Sequence, residues 1–423
     1  MIRSLSIVSG LILFAFITTH LLNLTLGIIS IELLESSRPY FFAIWTNFPV
    51  ELLLVLALLI HPLLGLRSVY FRNTLRMSGQ DKVQLISSLL IIPLLIPHLF
   101  AIKAGEQILG ISPTFTGFLT IMWIDLPLEG LRQVLLVIVV WIHGCIGLFT
   151  WLRLKAWWSA VAPYVYPLAV AIPTLALLGF VEAGRDAVTR YEQAQASGQY
   201  QYGANVQIEN KYQNLYQKKS DMYDAKDYKY ENPYQKKSDK YVVKDYSSAL
   251  SPQQFAASAK SIDEAKWMVL LGYFLLVCAV FVGRFIRLRK YHEKVQIHYA
   301  NGLTISSDVG PTLLEIAIQN DVPHANLCHG KGRCGTCRVR IIKSSSSLTP
   351  ASKLEQAMLD RLGSSPDTRL ACQVGPGPGV VHLHRLLSAD VQPDCLHGCA
   401  EEEAVECPEA KQAQDVDNKG AAI

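Results

Sequence analysis

Six apolar segments, at approximately 5–31, 48–68, 83–103, 131–152, 163–182 and 266–286, limit what this 423-residue chain can become. Each is long enough for the roughly twenty helical residues that cross the hydrocarbon core of a bilayer. In lipid a helix satisfies its backbone hydrogen bonds within itself, so each run reads as a membrane-spanning helix. The first run follows Arg3 and invites comparison with a signal peptide. It lacks an A-x-A-like cleavage site and exceeds a signal's apolar stretch, so it reads as an uncleaved anchor.

Charge in the connections sets the orientation. Arg67, Arg72, Arg76 and Lys82 fill the second connection, Arg153 and Lys155 the fourth, and Arg284, Arg287, Arg289 and Lys290 follow the sixth helix. The first and third carry Glu32, Glu35, Glu106, Asp125 and Glu129. The positive-inside rule then predicts both termini on the cytoplasmic side of the membrane. The formal net charge of +4 is not gathered into one basic patch, which argues against a nucleic-acid partner. The fifth connection, 183–265, is expected outside. It is rich in Tyr, Lys, Gln and Asp, repeats Tyr-Gln-Lys-Lys-Ser-Asp at 216–221 and 234–239, and reads as a polar linker rather than a core.

One histidine lies in each of the first four apolar segments: His20, His61, His98 and His143. A single histidine at such depth can be a hydrogen-bonded packing residue. Four in consecutive helices point to function, because ionisable groups are costly there. At 1.5 Å per residue, His20 and His98 sit roughly 22–24 Å from the cytoplasmic starts of their helices. His61 is about 9 Å above Arg67 and His143 about 15 Å above Arg153. The expected pairing is therefore an outer pair, His20 and His98, and an inner pair, His61 and His143, uneven by roughly 6 Å on this ruler. Each pair is a candidate for the axial ligands of a b-type haem. Gly65 and Gly147 follow the inner histidines at i+4 and would leave room for a porphyrin. Arg67 and Arg72 are candidate propionate partners or simple interface anchors.

Beyond the sixth helix stand Cys328, Cys334 and Cys337, spaced C-x5-C-x2-C, with Cys372 further on. Three thiolates in a glycine-rich loop plus a distant fourth suit a 2Fe-2S cluster, with two sulfurs on each iron. Gly330, Gly332 and Gly335 let the loop wrap the cluster and turn amide N–H groups toward sulfur. The alternatives are a zinc site, which usually pairs cysteines closely at both ends, or unrelated thiols. Of the nine cysteines, Cys145 and Cys278 lie in apolar segments and three lie in the tail. A cluster is expected in a reducing compartment, in agreement with the charge argument.

From Lys294 the pattern alternates at period two. Val295, Ile297 and Tyr299 form a strand, Asn301-Gly302 a hairpin turn, and Leu303 and Ile305 the return. Pro311 opens a helix with Leu313, Leu314, Ala317 and Ile318 inward. A strand at 338–342, a helix from Thr349-Pro350 through Leu362, the 369–373 segment and a strand at 380–384 complete the order. Segment 294–386 resembles a β-grasp ferredoxin. The x5-x2 spacing and Arg369-Leu-Ala-Cys372-Gln are similar to adrenodoxin-type and bacterial regulatory domains. His61-Pro-Leu-Leu-Gly-Leu-Arg-Ser, Ile96-Pro-His98 and Trp141-Ile-His143-Gly-Cys-Ile-Gly resemble the membrane anchor of certain bacterial class III adenylate cyclases. That resemblance implies a succinate dehydrogenase-like dihaem cytochrome b ahead of a 2Fe-2S domain. The expected fold is an all-α six-helix transmembrane bundle followed by an α+β β-grasp 2Fe-2S ferredoxin domain.

The chain departs from that family after about residue 390, where an acidic tail stands in place of a cyclase, so cyclase activity is not expected. Cys395, His397, Cys399 and Cys407 suggest a metal site, but 391–423 reads as disordered. Membrane haems of the implied kind commonly exchange electrons with quinones. Three functions remain in play. The first is quinol-linked electron transfer through haem b and the cluster to a cytoplasmic redox partner. The second is a redox-sensing module governing a separate effector such as an adenylate cyclase. The third is a haem-free anchor for a ferredoxin.

Overall fold

The computed structural model describes residues 2–104, 114–155, 157–196, 252–289, 293–389 and 391. The helices are α1 (Ile2–Thr25), α2 (Ile31–Phe42), α3 (Phe48–Phe71), α4 (Gly79–Leu99), α5 (Phe115–Thr120), α6 (Pro127–Leu152), α7 (Trp158–Ala196) and α8 (Pro252–Leu288). Six stretches are long and apolar enough to cross a membrane: Ile2–Ile28, Phe48–Phe71, Gly79–Lys103, Pro127–Leu152, Trp158–Gln193 and Ala257–Leu288. The chain is thus built as a multi-pass membrane protein.

The linker expected at 183–265 is shorter than that. Helix α7 runs on to Ala196, and α8 begins at Pro252 rather than 266. The added turns of α7 carry ion pairs at helical spacing on one side, Glu182 with Arg185 and Asp186 with Arg190, and bury Ala183 and Ala187 on the other. The remaining 197–251 and the tail from 392 onward, with Cys395, His397, Cys399 and Cys407, lie outside the described residues.

The chain forms two compact units. One comprises Met1–Gly65, Leu85–Cys145 and Val165–Cys278, and the other Leu66–Gln84, Ile146–Tyr164 and Ala279–Ile423. In the first, Leu21, Leu24, Ile31, Leu34, Leu119, Trp141, Ala176, Ala183 and Ala187 form a buried cluster. A Cβ at Gly179 would stand 2.0 Å from the Leu24 carbonyl oxygen. Glycine is what allows α7 and α1 to touch backbone to backbone. Buried Asn23 ties the end of α1 to α2, donating to Leu34 O at 3.2 Å and Ser37 Oγ at 2.8 Å.

The second unit contains a five-stranded mixed sheet in the order β2-β1-β5-β3-β4. Strands β1 (Lys294–Tyr299) and β2 (Thr304–Asp308) form an antiparallel hairpin, with Gly302 at φ +86° in the turn. Strand β5 (Gly379–Arg385) pairs parallel with β1 and antiparallel with β3 (Arg338–Ser344), and β4 (Thr368–Leu370) closes the edge. Helix α9 (Leu313–Gln319) starts at a Thr312/Glu315 capping box. Its Leu313, Leu314, Ile316 and Ala317 join Val295, Ile297, Val339, Leu370, Val381 and Leu383 in one core.

Helix α10 (Lys353–Arg361) begins later than Thr349-Pro350, because the Ser352 hydroxyl accepts from the Glu355 N–H and caps it there. Glu355 is fully buried. It takes Arg369 Nε at 2.9 Å, Arg369 Nη2 at 3.1 Å and the Leu370 N–H at 2.9 Å. Removing one member of such a pair strands a buried charge, which costs about 3–5 kcal/mol. Glu355→Ala should therefore lower the thermal midpoint of this unit sharply. A paired Glu355→Met/Arg369→Met change should recover most of that loss. A single alanine variant that melts like the wild type would show the pair to be inert.

Candidate functional site

Between Cys328 and Cys337 the loop ahead of β3 turns through four residues of positive φ: His329 at +52°, Gly330 at +78°, Gly332 at +61° and Gly335 at +71°. Such a path folds the chain back on itself and collects sulfur side chains inside. Two of the glycines also stand where side chains have no room. A Cβ at Gly335 would meet Leu362 Cδ1 at 2.3 Å, and one at Gly332 would meet Leu354 Cδ2 at 2.8 Å.

Cys328, Cys334 and Cys337 are brought together with Cys372, delivered just beyond β4, and all four are buried. They face each other as two pairs. The Cys334 side chain hydrogen-bonds Cys328, and Cys337 hydrogen-bonds Cys372. The Arg333 N–H donates to Cys328 Sγ at 3.4 Å, and the Gln373 amide to Cys372 Sγ at 3.4 Å. Thr336 Oγ1 lies 3.1 Å from Cys334 Sγ.

These contacts set the protonation of the loop. The Cys334 thiol and the N–H groups of Arg333, Cys334 and Lys331 pull Cys328 down to about 5 against the opposing effect of burial. Cys337 lowers Cys372, helped by Gln373 and the Gly332 N–H. The partners Cys334 and Cys337 are pushed up by the same bonds and by burial. A metal centre takes all four sulfurs as thiolates, so its binding must release protons from the raised Cys334 and Cys337.

Among the described residues no three His, Cys, Asp or Glu side chains converge as a group for one ion. A tetrahedral zinc site draws four donors to one point. Two facing sulfur pairs instead suit two irons, each with two thiolates. The donors fit a 2Fe-2S cluster.

Comparison with known proteins points the same way. Residues 298–377 match the family model of the 2Fe-2S iron-sulfur cluster binding domain. A 2Fe-2S ferredoxin of Pseudomonas aeruginosa is 34% identical over 77 residues, 18% of this chain and 69% of that protein. The 2Fe-2S ferredoxin-5 of Aquifex aeolicus is 37% identical over 76 residues, 17% of this chain and 79% of that one. The chain belongs to the 2Fe-2S ferredoxin family. Membership rests on the sheet domain, and a ferredoxin domain of this kind serves electron transfer. No solved structure matches the chain.

Ahead of the ferredoxin domain, the structure sets the four intramembrane histidines in two pairs. The rings of His20 and His98 have centroids 6.3 Å apart, and so do those of His61 and His143. The His61 and His143 rings stand edge to face, at an interplanar angle of 90°. His61 Nδ1 lies 3.1 Å from Ser9 Oγ, and His143 Nδ1 lies 3.2 Å from Ser87 Oγ. His20 Nδ1 is buried with no hydrogen-bond partner among the described residues. Its ring stacks on Phe16 and meets the edge of Phe42.

Ser9 and Ser87 escaped the sequence reading, yet a signal for them exists. Each lies eleven residues before the outer histidine of its own helix, His20 on α1 and His98 on α4. Eleven residues are about three turns, so hydroxyl and imidazole share one face. Arg67 lies over the Phe71 ring, and Arg72 donates to Met77 Sδ at 3.3 Å. No Cβ contact within 4 Å awaits at Gly65, while one at Gly147 would meet Gln84 Nε2 at 3.6 Å.

Proposed function

We propose that this chain is a membrane-bound electron-transfer protein, moving electrons from quinol by way of two b-type haems to a 2Fe-2S cluster. In this reading Cys328, Cys334, Cys337 and Cys372 hold the cluster, His20 and His98 an outer haem, and His61 and His143 an inner one. The observation that carries it is the spacing of the histidine pairs. Two imidazoles that bind one metal from opposite sides, each at about 2 Å from its ring nitrogen, put their centroids about 6 Å apart. Both pairs stand at 6.3 Å. When bound, the haems and the cluster supply one-electron redox centres.

The protein's share is binding and orientation. A partner at Nδ1 fixes the ring and leaves Nε2 to the metal, which is the part of Ser9 toward His61 and of Ser87 toward His143. The apolar helices around them exclude water. The similarity of the His61, His98 and His143 segments to a dihaem anchor supports the same assignment. The basic connections support cytoplasmic termini in a bacterial inner membrane, with a separate cytoplasmic redox partner or effector as acceptor.

A quinol analogue added to the purified membrane protein should reduce the b-type absorbance first. The paramagnetic signal of the reduced cluster should then follow. Absorbance that reduces while the cluster stays silent would break the proposed sequence, and a preparation without haem would end it.

A further inference from the structure

The second unit joins the ferredoxin domain to the helix ends that precede it in sequence, and the contacts fall around the cluster loop. In the α3–α4 connection, Asn73 Nδ2 donates to Glu315 Oε2 at 3.0 Å and to Gly310 O at 3.2 Å. Arg76 Nη1 donates to Gln319 O at 2.8 Å and pairs with Asp321 at 2.9 Å. At the start of α4, Asp81 Oδ2 lies 2.7 Å from Nδ1 of His329, the residue after Cys328, and both side chains are largely buried. Just past α6, Arg153 Nη2 donates to the carbonyl oxygen of Leu327, the residue before Cys328. Cys328 is thus held on both sides.

The receiving surface is itself braced. Arg284 Nε donates to Arg72 O at 2.9 Å, Arg287 Nη1 to Asn73 Oδ1 at 2.9 Å and Arg287 Nη2 to Tyr70 O at 3.1 Å. Arg76, Arg153, Arg284 and Arg287, basic residues that the sequence explains as topology signals, here grip backbone and carboxylates. The tether is short as well. Five residues separate Leu288 from Lys294, which at full extension reach about 20 Å. A mobile shuttle would need a longer leash and fewer holds.

We infer that the cluster loop works from a fixed seat on this end of the helices, with Asn73, Asp81 and Arg153 as positioning residues, so that the cluster's electron donor lies in the same chain. This rests on the proposed quinol-to-cluster function. The Arg76–Asp321 pair is exposed and holds weakly on its own. Asp81 with His329, and Arg153 with Leu327, are shielded and should dominate.

The test uses the full-length, cofactor-loaded protein in membranes. An Asp81→Asn/Arg153→Gln variant should keep the spectrum of its dithionite-reduced cluster. Hydrogen exchange of the 326–331 amides should rise about tenfold or more as local opening becomes easier. Reduction of the cluster by quinol should slow by a similar factor, while reduction by dithionite should not. Arg76→Asp should loosen the loop mildly, and adding Asp321→Arg should restore it. Unchanged exchange in the Asp81/Arg153 variant would overturn the seat. So would full-speed quinol reduction in a variant whose loop exchange has risen. A wild-type cluster that quinol never reduces would refute the quinol reading, and exchange alone would then judge the seat.

Discussion

His61→Ala and His143→Ala should each halve the haem bound per chain, and both should remove the same half of the spectrum. His20→Ala and His98→Ala should remove the other half. The expectation follows from the proposed reading, in which each pair, its ring centroids 6.3 Å apart, holds one haem iron. In that reading, loss of either ring leaves the haem a single protein ligand and weakens its binding at that position. The hydroxyl partners give a graded companion to this result. Ser87 lies 3.2 Å from His143 Nδ1, and loss of an outer-shell partner typically weakens metal binding about 10–100-fold. Ser87→Ala should weaken the inner haem in haem titrations and leave the outer one alone. Spectra in which His61→Ala and His98→Ala lose the same component would refute the pairing.

Cys372→Ser should abolish most of the iron and acid-labile sulfide in the purified protein, and with them the signal of the reduced cluster. Cys372 comes from beyond β4, and its partner Cys337 comes from the loop. The substitution therefore breaks one of the two sulfur pairs while sparing the other. Serine binds iron far more weakly than a thiolate at neutral pH, because its hydroxyl stays protonated. Cys145 and Cys278 lie within α6 and α8, so Cys145→Ser and Cys278→Ser should retain full iron. Metal analysis that finds one zinc in place of two irons would turn the site into a structural knuckle.

Much of this was legible in the chain. Apolar length alone located the spanning helices, since lipid leaves the backbone little choice. The alternation of Val295, Ile297 and Tyr299 and the Asn301-Gly302 turn gave the first hairpin, and the cysteine spacing with its glycines gave the loop. What escaped has physical reasons. Helix α2 hides in a connection because Glu32, Glu35 and Arg38 interrupt its apolar pattern and Pro39 sits inside it. The added turns of α7 bury the small Ala183 and Ala187 among charged neighbours, and those of α8 carry Lys260, Asp263 and Glu264, so hydropathy ends both helices early. Pro350 is a plausible first residue of α10, but Ser352-x-x-Glu355 has the spacing of a helix cap and sets the start three residues later. Asp81 meets His329, and Arg153 meets Leu327, across more than 170 residues of chain, and no local pattern marks such meetings.

Glu315 has a wider consequence. Its carboxylate closes the cap of α9, taking the Thr312 N–H at 2.9 Å, and the same Oε2 accepts Asn73 at 3.0 Å. An ionised carboxylate offers about four acceptor positions, so the second bond uses capacity that the cap leaves over. The ferredoxin domain needs no residue dedicated to this attachment. The information that selects the attachment is written instead in Asn73 of the α3–α4 connection and in Arg284 and Arg287 on α8. Drift at Glu315 would damage fold and anchorage together, whereas drift at Asn73 would loosen one hold and leave the cap of α9 intact. The bond between the two parts is thus heritable through the membrane half of the gene.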